Sequence, residues 1–347
     1  MQSFVDLDRT FGGQPRELGA VLARIDTGSG RERLFADQMP ELLRSLSEHA
    51  RIASMTASNA IEGVVIDSER AERIAEGAGR FRNRNEREFA GYRDATDMLM
   101  RLDRYQPLTV PFALHLHRLL FRHADGRGGH LKIEQNLIVS YESGRREIVF
   151  TPVAPEQTEF NLAELLARYN DAKCEGRTHP LVLIAALILD LLAIHPVADG
   201  NGRLARLITT HELLGQGYGV ARYVSIEQRI YESKNGYYAS LYESQRNWHE
   251  AKHNIWPWTL YLARVLADAY DDFELRVAAS DAGAGSKQER VRDFVLRQAP
   301  AEFRRRDIER ALPGISTATI RLVLGELRDT ARIHAEGSGP GARWHRL

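Results

Sequence analysis

The stretch HPVADGNGRLAR, His195 to Arg206, gathers an imidazole, a carboxylate, a carboxamide, two glycines and two guanidinium groups into twelve consecutive positions. An imidazole titrates near about 6.5, so His195 can take a proton from an attacking hydroxyl around neutral pH. Asp199 suits Mg²⁺, an ion that keeps most of its waters and is commonly held by a lone carboxylate together with phosphate oxygens. Arg203 and Arg206 stand three apart, on one face of a helix, and cations are ill placed at a helix N-terminus. A polyanionic ligand whose phosphates engage the first amides and both guanidinium groups removes that misfit. The set amounts to a base, a metal ligand and a phosphate cradle.

Two helices must hold these groups. The apolar run LVLIAALILDLLAI, residues 181–194, reads as a buried core helix, too short to span a bilayer and interrupted by Asp190. Pro196 disfavours helical backbone at His195, so that helix ends there with the imidazole at its tip. The DGNG that follows turns sharply because glycine tolerates positive φ, and RLARLITTHELL resumes helical spacing. The second helix therefore begins near Asn201 or Gly202. Its free amides and those of the turn make an anion-binding nest.

Around these elements the composition is that of an ordinary helical protein. The 347 residues suffice for two or three domains, and 47 basic against 47 acidic side chains leave no global field to steer the chain to nucleic acid or membrane. The single Cys174 rules out an intramolecular disulfide and suits a reducing compartment. The N-terminal residues show no secretory signal pattern, and the expected location is cytoplasmic, away from membranes. Three- and four-residue apolar spacing in ELLRSLSEHARIASM and FNLAELLARYNDA predicts helices, while LIVSYESGRREIVFTP, residues 137–152, reads as a hairpin about a Ser-Gly turn. The small-residue stretch ASDAGAGSKQ reads as a flexible linker.

Beyond it, residues 287–347 read helix (ERVRDFVLRQA), helix (RRRDIERAL), turn (PGIS), helix (TATIRLVLGELRD) and a strand-and-turn tail, with Ser316 or Thr317 as N-cap of the third helix. This is the pattern of a winged helix-turn-helix. Thirteen Lys and Arg against eight Asp and Glu leave both DNA and a protein as its partner.

HPVADGNGRLAR resembles the signature HPFxDGNGRxxR of Fic-domain proteins, which transfer AMP from ATP to a hydroxyl side chain of a target protein. Val197 replaces the usual Phe, a side chain expected to face the core. GGHLKIEQNLIV and IVFTPVAPEQTEFNLAELLARYN look like the family's run into its hairpin flap and next helix, and YYASLYES and IWPWTLYLARVL like its closing helices, so the resemblance covers about residues 50–275. It implies that His195 deprotonates the target hydroxyl, that Asp199 holds Mg²⁺, that Gly200, Asn201 and Gly202 line an anion hole, and that Arg203 and Arg206 bind the outer phosphates of ATP. It also implies that Tyr237 and Tyr238 line the nucleoside pocket, and that the flap edge Ile148, Val149, Phe150 and Thr151 aligns the target backbone as an added strand.

Upstream, TASNAIEG, residues 56–63, resembles the family's inhibitory motif [S/T]xxxE[G/N], with Ser58, Glu62 and Gly63 in the required places. The resemblance implies that Glu62 pairs with Arg206 and misaligns ATP.

The sequence thus leads to a mainly α chain: a Fic-type helical bundle with a β-hairpin flap and a C-terminal winged helix-turn-helix. The expected divisions are an N-terminal helical region over 1–100, a catalytic core over 101–278, a linker over 279–286 and the winged helix over 287–347. The expected activity is autoinhibited adenylyl transfer with ATP and Mg²⁺ to a target hydroxyl, with self-modification, homodimerisation and DNA binding through 287–347 left open. Two rival readings stand beside it: the same site removing AMP or moving another nucleotide or phosphate, and a winged-helix transcriptional regulator with a nucleotide-sensing Fic domain.

Overall fold

A computed structural model describes residues 2–35, 39–102, 104–124, 128–142, 145–281, 287–312, 315–337 and 339–346. The chain divides into two compact units, one built from 1–30 and 50–270, the other from 31–49 and 271–347.

The described helices of the N-terminal part are α1 (Leu7–Phe11), α2 (Arg16–Phe35), α3 (Pro40–Ile61), α4 (Ser68–Ala75), α5 (Arg84–Met100) and α6 (Val110–Leu120). The hairpin follows, β1 (Ile138–Glu142) and β2 (Arg145–Phe150), then α7 (Pro155–Glu175), α8 (Pro180–Ile194), α9 (Asn201–Gly215), α10 (Ile226–Glu232), α11 (Lys234–Gln245) and α12 (Trp256–Asp281). In the larger unit α8 is the axis: every residue from Leu181 to Ile194 is buried, as an all-round apolar helix requires. It packs against α7, α9 and α11. Its one acidic residue, Asp190, is satisfied by the Ser3 amide and hydroxyl at 3.0 and 2.7 Å and by the Trp248 indole at 2.6 Å. Several helix starts are capped in the ordinary way, as where the Asn83 carboxamide accepts from the Glu86 amide at 2.9 Å and opens α5.

The hairpin is antiparallel, Val139 facing Ile148, with a bulge between Ile138 and Val139. Its expected Ser143–Gly144 turn lies outside the described residues. Thr151 falls one residue past β2, so the expected four-residue edge is three residues of strand and one of loop. Gln135 donates to the Pro152 carbonyl at 3.1 Å, and the Val153 amide to the Ala193 carbonyl at 3.3 Å, which fastens the base of the hairpin to the end of α8.

The second unit contains α13 (Lys287–Asp293), continued by a π turn over Phe294–Gln298, then β3 (Glu302–Arg304), α14 (Arg305–Ala311), α15 (Thr317–Asp329), β4 (Ile333–Glu336) and β5 (Arg343–Arg346). Ser316 caps α15, accepting from the Thr319 amide at 3.2 Å. The strands form an antiparallel sheet in the order β3-β5-β4, closed over a core that includes Val291, Phe303, Ile308, Ile320 and Leu324. Sequence reading missed β3, three residues too short for alternation to show. The linker expected over 279–286 begins late: α12 runs through Asp281, because the alanines at its end favour helix, and residues 282–286 lie outside the described residues. The Pro313–Gly314 turn also lies outside them.

Candidate functional site

His195 ends α8 in the left-handed conformation, φ 54°, outside the right-handed helical region that Pro196 disfavours for the residue before it. Its Nδ1 donates to the Leu192 carbonyl at 3.2 Å, which leaves Nε2 with the free lone pair. Burial pushes the imidazole down to about 4, so it is neutral at neutral pH.

The loop behind it is tied from three sides. The buried Lys132 ammonium donates to the Ile194 carbonyl at 2.9 Å and its amide to the Pro196 carbonyl at 2.9 Å, while burial lowers the ammonium to about 8. The Asn136 carboxamide donates to the Val197 carbonyl at 3.0 Å. His117 accepts from the Gly129 amide at 3.0 Å and donates to the Asp199 carbonyl at 3.0 Å, which fixes its tautomer. The Val197 side chain is fully buried, facing the core as expected of the residue that replaces Phe.

The next helix, α9, starts at Asn201 with Gly200 as an N-cap that offers no side-chain acceptor. Gly200 has φ 84°, and a Cβ there would press on the Phe121 ring at 3.0 Å. The Asn201 side chain closes on Val197, accepting from its amide at 3.0 Å and donating to its carbonyl at 2.6 Å. What Asn201 retains for an anion is its backbone N–H.

The two arginines of that first turn are buried and face different partners. Arg206 donates from Nε to the Ser58 hydroxyl at 2.8 Å, and from Nη2 to the Ser58 carbonyl at 3.0 Å and to Glu62 Oε1 at 2.7 Å. Arg203 donates from Nη1 to Glu88 on α5 at 2.6 Å and lies over the Phe121 ring at 5.3 Å. Among the described residues, Arg206 Nη1 and Arg203 Nε are buried with no hydrogen-bond partner. Buried orphan donors beside an uncapped helix N-terminus are what an anion would satisfy.

Glu62 covers this place. α3 ends at Ile61, and Gly63 takes φ 79°, which turns the chain just past the glutamate. A Cβ on Gly202 would meet Glu62 Oε1 at 2.2 Å, so the carboxylate rests against the bare first turn of α9. Burial opposes the charge on Glu62, yet Arg206 outweighs it and holds the carboxyl below its ordinary value.

Asp199 stands at the mouth, its side chain 60% exposed, with Arg203 Nη2 at 3.8 Å and Arg84 Nη2 at 3.7 Å. Among the described residues no three His, Cys, Asp or Glu side chains cluster to hold a metal, so Asp199 can hold Mg²⁺ only in company with ligand oxygens. The accessible carboxylate beside orphaned phosphate-type donors fits that arrangement.

The two tyrosine rings meet edge to face at 5.1 Å, with Tyr237 beside Arg206, but they differ in burial. Tyr237 is 3% exposed and packs on Trp258 and Tyr261 at 5.6 and 6.1 Å, as an aromatic core residue, whereas Tyr238 is 46% exposed. The flap side chains Ile148, Val149, Phe150 and Thr151 border a cleft of about 350 Å³ with residues 242 and 245–250. Phe150 stacks on His249 at 5.3 Å, and His249 donates to the Thr151 carbonyl at 2.8 Å. Sequence reasoning missed Glu88, Lys132, His117 and Asn136. Lys132 and Asn136 lie within the GGHLKIEQN stretch, whose density of polar residues was the available signal, whereas His117 lies on α6.

Residues 107–213 match the Fic/DOC family. Over 113 residues, 33% of this chain, the sequence is 38% identical to the protein adenylyltransferase and cysteine protease IbpA of Histophilus somni, and over 139 residues, 40% of this chain, it is 29% identical to the protein adenylyltransferase fic-1 of Caenorhabditis briggsae. The chain spans 2% and 24% of the lengths of these two relatives. In fold it is similar to a Fic family protein from Desulfovibrio desulfuricans G20, with a TM-score of 0.60 at 22% identity over 96% of this chain and 97% of that one. A Fic domain containing signaling protein from Bacteroides thetaiotaomicron gives 0.58 at 21% identity, over 73% of this chain and 95% of that one. With the motif, the helices that present it and these matches in agreement, residues 107–213 match a Fic domain and the chain is related to known protein adenylyltransferases.

Proposed function

We propose that this chain transfers AMP from ATP to a Tyr, Ser or Thr hydroxyl of a target protein, and that Glu62 restrains it. The observation that carries the reading is the Glu62 carboxylate against Arg206 and Gly202, where an ATP phosphate would find its donors. His195 Nε2 takes the proton of the target hydroxyl, whose oxygen attacks the α-phosphorus while the bond to pyrophosphate breaks. Arg206 and the α9 amides hold the outer phosphates once Glu62 has moved away, and Arg203 borders them from its fixed place. Asp199 would hold Mg²⁺, which when bound offsets phosphate charge. Tyr238 offers its ring to the nucleoside, Tyr237 supports it from the core, and the flap aligns the target backbone.

The test is incubation of the Glu62→Gly protein in cell lysate with labelled ATP and Mg²⁺, followed by mass spectrometry. AMP on hydroxyl side chains is expected; label arriving only as phosphate or as another nucleotide would overturn the assignment. An ionised Glu62 at the site supports a second reading, in which it activates water to remove AMP from a modified target. Release of AMP by wild type and not by Glu62→Gly distinguishes it.

For the C-terminal residues 287–347 we propose a winged helix-turn-helix that selects the target or binds DNA, a reading supported by the order α13, β3, α14, α15, β4, β5. A chain ended at Asp281 keeps all the site residues named above. Self-modification retained with target modification lost supports target selection, and salt-dependent DNA binding lost with the same cut supports the other.

A further inference from the structure

Two arginines flank Asp199 at nearly equal distance, each as a long ion pair. Arg203 Nη2 stands 3.8 Å from one carboxylate oxygen and Arg84 Nη2 3.7 Å from the other. Both are instead hydrogen-bonded to a single buried residue: Arg203 Nη1 reaches Glu88 Oε2 at 2.6 Å, and Arg84 Nε reaches Glu88 Oε1 at 2.5 Å. Glu88 has a side chain only 4% exposed, on a helix that contributes no residue of the Fic signature. Burial opposes its charge, but the two guanidinium groups hold its carboxyl below the ordinary range.

The arrangement is an alternation of signs, Arg84 and Arg203 positive, Glu88 and Asp199 negative, with Glu88 in the protein and Asp199 in solvent. A buried carboxylate with two short charge-assisted bonds outcompetes an exposed one for the same guanidinium groups. Remove the buried charge and both arginines still have Asp199 within ion-pair distance. The extra positive charge would also repel a divalent cation at that carboxylate.

We propose that Glu88 is a positioning residue of the phosphate cradle, which by its shorter bonds keeps Arg203 and Arg84 at no closer than long ion-pair distance from Asp199 and so leaves that carboxylate accessible to a divalent cation. The proposal rests on the nucleotide reading above. Its corollary is a division of labour between the two arginines of α9: Arg203 is permanently matched by a buried carboxylate, whereas Arg206 is matched by the one that Glu62 can withdraw.

The experiment is calorimetric titration of ATP, with and without Mg²⁺, into the full chain carrying Glu62→Gly and His195→Ala so that the cradle is open and no turnover occurs. The quantity read is the gain in ATP affinity that Mg²⁺ provides. Adding Glu88→Gln is expected to reduce that gain by about five- to twentyfold while metal-free ATP binding is held or strengthened, since the cradle has gained positive charge. Adding Arg84→Gln to Glu88→Gln restores the charge balance and should recover most of the gain, which a variant that merely loosened α5 would not do. An unchanged Mg²⁺ gain in Glu88→Gln, or equal loss of metal-free and Mg²⁺-dependent binding that Arg84→Gln fails to recover, overturns the inference and leaves the nucleotide reading standing. Absence of ATP binding in the open background itself, with Mg²⁺ present, overturns both.

Discussion

Glu62 Oε1 lies 2.7 Å from Arg206 Nη2, joining residues 144 positions apart in one part-buried ion pair at the first turn of α9. The pair is held from both sides, since Ser58 binds the same guanidinium and the Lys234 ammonium donates to the Ile61 carbonyl at 2.8 Å. Glu62→Gly frees Arg206 for phosphate, and automodification with labelled ATP is expected to rise roughly ten- to a thousandfold. The double variant Glu62→Gly, Arg206→Ala should lose that gain, because the freed partner is gone. Equal activity of single and double variants would mean that the pair does not control the site.

His195→Ala is expected to abolish transfer while ATP affinity measured by calorimetry stays within a fewfold of its parent. The imidazole faces the target hydroxyl in the proposed reaction, and the phosphate donors lie on α9. A parallel fall of affinity and activity would move His195 into the nucleotide site.

Lys132→Met keeps the length of the side chain and deletes the ammonium that binds the Ile194 carbonyl. The backbone carrying His195 would lose one of its tethers, and a displacement of about 1 Å at a reacting group costs on the order of a hundredfold in rate. Turnover should fall by roughly ten- to a hundredfold with KM for ATP little changed. A change confined to KM would place Lys132 with the nucleotide instead.

His117 and His195 are both pushed by burial to about 4, against about 6.5 for an unperturbed imidazole. Between those values the unfolded chain binds more protons than the folded one, so this contribution is complete above about pH 6.5 and is lost as pH falls toward about 4. Melting temperatures taken at about pH 7 and about pH 5 should differ by several degrees, and by less in His117→Gln. An identical shift in that variant would assign the acid sensitivity to other groups.

The sequence disclosed what local chemistry dictates. Pro196 stopped α8 at His195, the glycines opened the turn before α9, and strand alternation gave the hairpin its limits. The Glu62–Arg206 pair was legible only because a resemblance named both members. Glu88 and Arg203 had no such guide: 115 positions separate them, and Glu88 reads as one more charge on a polar helix beginning RNERE. Tyr237 and Tyr238, adjacent and chemically alike, were indistinguishable until packing buried one of them. The end of α12 was misplaced because small residues serve linkers and helices equally well.

The bare Cα of Gly202 leaves room for one anion against the first turn of α9, and Glu62 Oε1 already fills the position a Cβ would take. In thermodynamic terms the resting protein is a complex with a ligand of its own chain. A ligand on a short tether acts at an effective concentration of roughly millimolar or above, against which, in the proposed function, free ATP competes. That concentration is set by the length and stiffness of the tether, the end of α3 and the turn at Gly63, and not by any contact inside the cradle. An event that unwinds one turn of α3 would therefore dilute the competitor and set the ATP response without altering a single group that touches ATP.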